Sequence, residues 1–282
     1  MEPHHFFTAQ RVLIVAGKGG VGKSAVAAAV ALASARAGLR TLHVSLDAES
    51  IAIPAHDLLD RVTVTPGRAL TDYLSSKGMG LLSRQLARSG IVELVATTAP
   101  GLDDLLVLGR IKAFEKEDRA DLIVVDGPAA GHASDFVRAP IQLKRAISTG
   151  PIGQQADEVL DMLADPGRCR LMLVATPAVT PVTETLDVAE EICSTVNITL
   201  TPLVLNKCDE PVRDIDTDAH DQYLAEALAY ATRRSRAQQQ ATELLRRSRR
   251  EEILVLPRRN LTGPALVETL ADVVTDRIGA LA

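Results

Sequence analysis

Short, continuously apolar runs recur along the chain, each bounded by turn residues and separated from the next by helical patterns. Apolar residues that follow one another without alternation are typical of strands buried on both faces, as in parallel sheets covered by helices. The pattern therefore predicts an α/β fold, with a mostly parallel sheet flanked by helices. The runs are RVLIVAG (11–17), RTLHVSL (40–46), DLIVVDG (121–127), RLMLVATP (170–177), LTPLVLN (200–206) and EILVLP (252–257).

Other stretches depart from this rhythm. The run RVTVTP (61–66) alternates, so it is expected nearer an edge of the sheet. Helical excursions are expected at about 67–118 and 133–165. Both helical segments follow strands, and the carboxyl ends of these strands are expected to carry the functional residues. The segments should therefore lie over or beside the functional site. Residues 219–250 indicate a long polar helix or a helix pair, and a last helix is expected from Pro264 to about Ile278.

The sequence GKGGVGKS lies between the first predicted strand and a helix that Gly38 should end. Gly17, Gly22, Lys23 and Ser24 fit the G-x-x-x-x-G-K-[ST] phosphate loop, whose glycines let backbone N–H groups turn towards phosphate oxygens. Lys23 is expected to reach the β- and γ-phosphates, and the Ser24 hydroxyl to bind Mg²⁺. The nucleotide-binding residues expected in this segment are Gly17, Lys18, Gly19, Gly20, Val21, Gly22, Lys23, Ser24 and Ala25.

A second lysine, Lys18, directly follows the first glycine. The pattern K-G-G-V-G-K-[ST] resembles the deviant phosphate loop (deviant Walker A motif) of the dimeric nucleotidases that include MinD, ParA, the nitrogenase iron protein and the arsenical-pump ATPases. The resemblance implies a dimer in which Lys18 reaches phosphate bound by the other subunit. There it would neutralise charge in the transition state, as an arginine finger does. The alternative is a solvated loop lysine.

The segment VSLDAES (44–50) resembles switch I of the arsenical-pump and tail-anchored-protein-targeting ATPases, usually S-T-D-P-A-H. The resemblance makes Asp47 the catalytic aspartate that positions and polarises the attacking water. Ala48 stands where proline is usual, so the local turn is expected to differ. The alternative for Asp47 is a turn or cap carboxylate at a strand end.

The segment VVDGPAAGHA (124–133) resembles Walker B and switch II of the same family, typically D-T-A-P-T-G-H-T. The resemblance implies that Asp126 holds Mg²⁺ through a water and that the Gly131 amide turns towards the γ-phosphate. The proline is shifted to Pro128, so the switch function is less strongly indicated than the Mg²⁺ role. His132 either reports the switch position or is a packed or solvated histidine.

The strand-end asparagine of TPLVLNK, Asn206, corresponds to the residue that recognises adenine in this family. LVLPRRNLTGPAL (254–266) resembles the family's final strand and adenine-pocket loop, so Pro257 and Arg258 are expected to line the base. NKCD (206–209) also fits the N-K-x-D guanine motif, in which Asp209 would accept hydrogen bonds from guanine. The pattern over the whole chain favours ATP.

Composition argues against several other classes of protein. The net charge of −5 argues against general nucleic-acid binding, and the arginines between Arg233 and Arg250 indicate either a solvated helix face or an anionic partner. Cys169, Cys193 and Cys208 lie far apart without a C-x-x-C pair. They indicate buried cysteines in a reduced cytoplasmic protein, without an Fe–S cluster or an arsenite site. No apolar run approaches the ~20 residues of a membrane span, and the N-terminus has no apolar signal region.

The resemblance covers nearly all of residues 11–279 and extends to the short bacterial relatives of the tail-anchored-protein-targeting (Get-type) ATPase. Some leucines of the first excursion recur at helical spacing. They indicate ordinary core packing or, as the alternative, a client-binding surface built by the helices of residues 67–118 and 133–165. They are Leu81, Leu82, Leu86, Leu105, Leu106 and Leu108.

The sequence as a whole predicts a single P-loop domain over residues 1–282. The expected protein is a Mg²⁺-dependent ATPase that binds ATP and dimerises with itself or a paralogous subunit. Hydrolysis would switch its conformation and act on a protein client that the sequence does not identify. The alternatives are a GTPase of the same class, or a small-molecule transferase or synthetase such as dethiobiotin synthetase, which does not need Lys18.

Overall fold

The predicted runs form the strands of one parallel sheet. The structure, a computed structural model, describes residues 3–47, 51–76, 78, 100–147, 149–210, 222–248 and 253–280. The strands are β1 (Val12–Gly17), β2 (Thr41–Ser45), β3 (Leu59–Thr63), β4 (Leu122–Ala129), β5 (Cys169–Ala175), β6 (Thr199–Leu200), β7 (Leu203–Cys208) and β8 (Ile253–Pro257). Their order is β3–β2–β4–β1–β5–β7–β8, with β6 paired to β5, and every pairing among these strands is parallel.

This arrangement confirms the mostly parallel sheet and locates the alternating run. That run overlaps β3, which forms one edge of the sheet. The run predicted at 200–206 is divided, because Thr201 and Pro202 separate β6 from β7. Proline has no N–H to donate to a ladder, so a break at Pro202 costs the sheet little.

Helices cover both faces of the sheet. They are α1 (Pro3–Thr8), α2 (Lys23–Arg36), α3 (Pro66–Ser76), α4 (Leu102–Lys116), α5 (Ala130–Ala146), α6 (Gly150–Ala164), α7 (Val179–Val196), α8 (Gln222–Ser248) and α9 (Gly263–Ala280). Successive strand residues point to opposite faces, so Leu13 and Val15 pack with α1, α2 and α9, whereas Val12 and Ile14 pack with α3 to α8. None of the helices in the described ranges is long and apolar enough to cross a membrane.

The helix after the phosphate loop is buried around most of its circumference. The side chains from Ala25 to Ala35 of α2 are all buried between the sheet and α9, and most are alanine or valine. Small side chains let α2 approach the sheet closely, which fixes the loop in front of it. Gly38, with φ of 91°, follows the last turn as predicted.

In the described residues, the first predicted helical segment (67–118) overlaps α3 and α4, and the second (133–165) overlaps α5 and α6. Leu105, Leu106 and Leu108 of α4 are buried in the core, so the core interpretation is confirmed for them and the client-surface alternative is wrong. The other leucines of that set lie outside the described residues. The stretch expected as one helix or two forms the single helix α8 within its described part.

Candidate functional site

The phosphate loop lies at the carboxyl end of β1 and leads directly into α2. Gly20 and Gly22 have φ of 81° and 91°, a region that side chains other than glycine rarely adopt. A Cβ on Gly22 would lie 2.6 Å from the Asn206 Nδ2, and a Cβ on Gly17 would lie 2.5 Å from the Val174 carbonyl oxygen. The loop therefore needs glycine at Gly17 for space and at Gly22 for both space and conformation.

Asp126 lies beside the first turn of α2. In the sheet it pairs with Val15 of β1 and with Ser45 of β2, so it stands at the centre of the carboxyl edge. The Ser24 hydroxyl and the Lys23 ammonium lie near enough to the Asp126 carboxylate to lower its pKa. The structure thus brings Lys23, Ser24 and Asp126 together, as the two motifs predicted.

Burial controls the electrostatics of this carboxylate. Asp126 is 6% exposed, and its Oδ1 has no hydrogen-bond partner within the described part of the chain. Burial raises the pKa of Asp126; the nearby Ser24 hydroxyl and the Lys23 charge lower it, and the Asp47 charge raises it. A buried carboxylate oxygen beside a serine hydroxyl is the oxygen donor set that Mg²⁺ prefers. The residues present therefore fit a magnesium ion.

Asp47 follows the end of β2 at the same edge. The Ser45 hydroxyl donates to the Asp47 carbonyl oxygen at 2.8 Å and accepts from the Asp47 N–H at 3.3 Å, which fixes the backbone at this turn. The Asp47 side chain is exposed, and its charge reaches Asp126. Ala48 and the rest of the switch I segment lie outside the described residues. Gly131 lies in the first turn of α5, and nothing is described of the His132 side chain.

A bulge in β7 directs neighbouring side chains at the phosphate loop. Leu205 pairs with Val255 and Cys208 with Pro257, so β7 has one more residue than β8 between these pairs. The Asn206 Nδ2 donates to the Val21 carbonyl oxygen at 2.8 Å. The Nζ of the next residue, Lys207, which has a φ of 61°, donates to the Gly20 carbonyl oxygen at 2.6 Å. Sequence reasoning missed Lys207, although its place inside NKCD could have drawn attention to it.

The expected base loop is held together by one aspartate. Arg258 follows Pro257 at the end of β8, and its N–H donates to the Cys208 carbonyl oxygen at 2.7 Å. The Asp209 carboxylate accepts from the Arg258 Nε at 2.8 Å and from the Arg234 Nε at 2.8 Å, one arginine on each oxygen. Both oxygens of the residue that would read guanine are thus engaged by guanidinium groups.

The same aspartate joins the base loop to α8. The Asp209 N–H donates to the Gln238 Oε1 at 2.8 Å, and the Gln238 Nε2 donates to the Asp209 carbonyl oxygen at 3.1 Å. Arg234 and Gln238, one helical turn apart, therefore bind the side chain and the backbone of one residue. The position of α8 is coupled to the loop that ends β7.

The sequence was also compared with known proteins. The family model described as anion-transporting ATPase matches residues 10–74, which include the phosphate loop and β2. The ATPase BagA of Mycobacterium tuberculosis is 31% identical over 207 residues, 64% of this chain and 61% of the relative. ATPase GET3B of Arabidopsis thaliana is 26% identical over 180 residues, 50% of this chain and 42% of the relative. ATPase ARSA1 of Chlamydomonas reinhardtii is 26% identical over 180 residues, 46% of this chain and 22% of the relative.

Over the matched residues, this chain is similar to the ArsA/Get-type ATPases. It spans 61% of the length of BagA and less of the other relatives named here. The parallel sheet, with its phosphate loop after β1, agrees with this similarity.

Lys18, the lysine that led to the family resemblance, is bound within its own chain. Its Nζ lies 2.7 Å from the Oε2 of Glu184 on α7, and both side chains are about half exposed. Sequence reasoning did not single out Glu184, and no local pattern in the ArsA/Get-type motifs would have paired it with the loop. The position of Lys18 in an assembly of subunits stays a prediction.

The cysteines Cys169, Cys193 and Cys208 are all free thiols. Cys169 and Cys208 are buried, and Cys193 is partly buried. Burial raises the pKa of both buried thiols, that of Cys208 to about 11, so they are neutral near pH 7. A neutral buried thiol is a poor metal ligand, which supports the structural interpretation for Cys169 and Cys208.

Proposed function

We propose that this chain is a Mg²⁺-dependent ATPase that dimerises around its nucleotides. The observation that carries the proposal is the buried Asp126 carboxylate beside Ser24 of the phosphate loop, with one oxygen that has no hydrogen-bond partner among the described residues. An unpartnered buried carboxylate oxygen is costly in a purely structural position. A bound magnesium ion would account for that cost.

Each residue has a role in the proposed reaction. The N–H groups of the loop and the start of α2, together with Lys23, bind the phosphate chain. Ser24 and Asp126 hold the magnesium ion, which when bound neutralises the charge of the phosphates. Asp47 orients the attacking water and polarises it by accepting a hydrogen bond.

The base is proposed to be adenine. The Asn206 amide uses one N–H on the Val21 carbonyl, which leaves its other N–H and its oxygen for a base edge. Asp209 is engaged by Arg234 and Arg258, so a guanine would have to displace a guanidinium group to be read. This favours ATP over the GTPase alternative.

The proposed dimer is formed with a second copy or with a paralogous subunit. Its support is the similarity to ArsA/Get-type ATPases and the half-exposed Lys18 between two glycines. A small-molecule transferase that acts within one subunit has no need of this lysine. The switch is proposed to act on a protein client, in line with the Get-type resemblance.

The test measures phosphate release and nucleotide binding by the purified chain. We expect Mg²⁺-dependent hydrolysis of ATP that EDTA abolishes, and calorimetric titrations that give tighter binding of ATP than of GTP. Asp126→Asn should lose the Mg²⁺-dependent hydrolysis, because the neutral amide is a weaker ligand for the ion. Asp276→Asn, on the exposed side of α9, removes the same charge as a control. Absence of nucleotide binding, or tighter binding of GTP, would contradict the proposal.

A further inference from the structure

Lys18 and Glu184 form a pair that spans the phosphate loop and α7. The Lys18 Nζ donates to both carboxylate oxygens of Glu184, at 2.8 Å to Oε1 and 2.7 Å to Oε2. Because β1 and β5 are neighbours, the loop that ends β1 and the helix that follows β5 leave the sheet side by side. The pair is thus a product of the sheet order, although 166 positions separate its members.

The surroundings of the pair allow another anionic group to replace Glu184 as the partner of Lys18. Lys18 and Glu184 border a largely apolar cavity of about 270 Å³ that Ala133, Leu173 and Val188 also line. The apolar wall favours pairing of the charges, yet the side chains remain 57% and 45% exposed. Partly exposed ion pairs are weak and screened by salt, so a more highly charged group can replace the carboxylate.

We propose that Glu184 is a positioning residue that holds Lys18 within its own subunit until the phosphates of a nucleotide-bearing partner take its place. This inference rests on the proposed dimeric ATPase. A triphosphate carries more negative charge than one carboxylate, so it competes well for the ammonium group once the partner docks. In the separate subunit, Lys18 is kept away from the nucleotide of its own site.

A second set of contacts joins the same helix to the segment that follows Asp126. Glu191, about two turns further along α7, accepts from the Ser134 hydroxyl of α5 at 2.7 Å and pairs with Arg138 of α5. Through Glu184 and Glu191, α7 therefore contacts both the phosphate loop and α5. A shift of α5 when nucleotide binds beside Asp126 would be transmitted to the position of Glu184.

The expected size of the effect follows from the exposure of the pair. A partly exposed ion pair shifts an equilibrium by up to roughly five-fold. A symmetric dimer releases one such pair in each subunit, so loss of Glu184 should favour the dimer by up to roughly 25-fold.

The test compares dimerisation of the full chain with Mg²⁺ and a non-hydrolysable ATP analogue by analytical ultracentrifugation. Glu184→Gln keeps the shape but removes the charge, and should tighten the dimer by up to roughly 25-fold. Glu190→Gln is the matched control, since Glu190 is exposed on the same helix and no hydrogen bond or ion pair joins it to the phosphate loop among the described residues. Glu184→Gln should have no effect in a Lys18→Ala background, because the pair is already absent.

The outcomes separate this inference from the proposed function. If the wild-type chain dimerises with the analogue and Glu184→Gln dimerises no more tightly, or more weakly, Glu184 does not restrain Lys18. An effect of Glu184→Gln that persists without Lys18 would overturn the inference as a general charge effect. If the wild-type chain binds nucleotide but never dimerises, the proposed dimer is wrong. The proposed role of Glu184 in holding Lys18 is then wrong as well.

Discussion

The side-chain amide of Asn206 hydrogen-bonds the carbonyl oxygen of Val21, with 2.8 Å between Nδ2 and the oxygen. These residues lie 185 positions apart, one at the end of β7 and the other in the phosphate loop. Asn206 is 3% exposed, so water cannot readily replace either partner. The bond joins the part of the site assigned to the base to the part assigned to the phosphates.

Removal of this bond should affect both stability and binding. Asn206→Ala is expected to lower the free energy of unfolding by about 1–3 kcal/mol, because the Val21 carbonyl loses its donor in a buried position. ATP binding should weaken too, since the loop is less firmly held. Urea unfolding and titration calorimetry measure these effects. Lys207→Met removes the more exposed bond to Gly20 and should cost about 1 kcal/mol or less; an equal loss in both variants would contradict the argument.

The glycines of the loop offer a matched pair of substitutions. Gly22→Ala should destabilise the fold by at least about 1–3 kcal/mol, because it combines a φ of 91° with a Cβ only 2.6 Å from the Asn206 amide. Gly19→Ala should leave thermal stability nearly unchanged, since a Cβ there meets nothing within 4 Å. Thermal unfolding of both variants without nucleotide checks the difference. Similar melting temperatures would show that loop conformation does not limit stability.

Asp47→Asn should separate binding from hydrolysis. The amide keeps the shape but loses the charge that polarises water, so the rate should fall on the order of 10²–10⁴. Nucleotide affinity should change little, because Asp47 is assigned to the water rather than to the bound phosphates. Single-turnover hydrolysis and calorimetry measure the two quantities. Asp60→Asn, exposed on β3, is the charge-matched control, and unchanged turnover in Asp47→Asn would refute the switch I assignment.

Mixing Lys18→Ala with Asp47→Asn should restore activity if Lys18 acts across a dimer. In a mixed dimer, the site of the Lys18→Ala subunit keeps its own Asp47 and receives Lys18 from its partner. The other site lacks both groups, so each mixed dimer should regain up to half the wild-type rate. Phosphate release and labelled-subunit exchange provide the measurements. If mixed dimers form and stay inactive, Lys18 is a local loop residue or the sites must fire together.

His43 should make stability depend on pH. Burial, aided by the charge of Arg61 on β3, lowers the pKa of His43 from 6.5 to about 4. Above pH 6.5 the imidazole is neutral in both states, so its contribution is constant. Between pH 6.5 and about 4 only the unfolded chain binds the proton, and stability falls with pH. The loss from pH 6.5 to pH 5 should be about 1.6 kcal/mol.

The control for this pH dependence is His43→Leu, which has similar bulk and no titrating group. Urea unfolding at pH 6.5 and at pH 5 gives the loss of stability for each protein. The loss should be smaller in His43→Leu than in the wild type, and the difference should equal the contribution ascribed to His43. The His43 Nε2 is buried without a hydrogen-bond partner in the described structure, so leucine should be tolerated at neutral pH. Parallel pH curves for the two proteins would assign the dependence to other groups.

Local patterns in the sequence determined the parallel sheet, the phosphate loop and the candidate residues Lys23, Ser24, Asp47 and Asp126. These features depend on neighbouring residues: continuous apolar runs for buried strands, glycines where φ is positive, and a helix that starts at the loop. Strands of one direction also bring their carboxyl ends to one edge. That is why motifs read separately along the chain meet in one site.

Tertiary structure alone decided which distant residues support that site. The sheet order puts Glu184 beside Lys18, the bulge in β7 turns Lys207 towards the loop, and α8 carries Arg234 to Asp209. Each contact depends on strand order, a shifted register or the docking of a remote helix. Such long-range packing leaves no periodic or local pattern in the sequence, because the free energy that selects it comes from the assembled core.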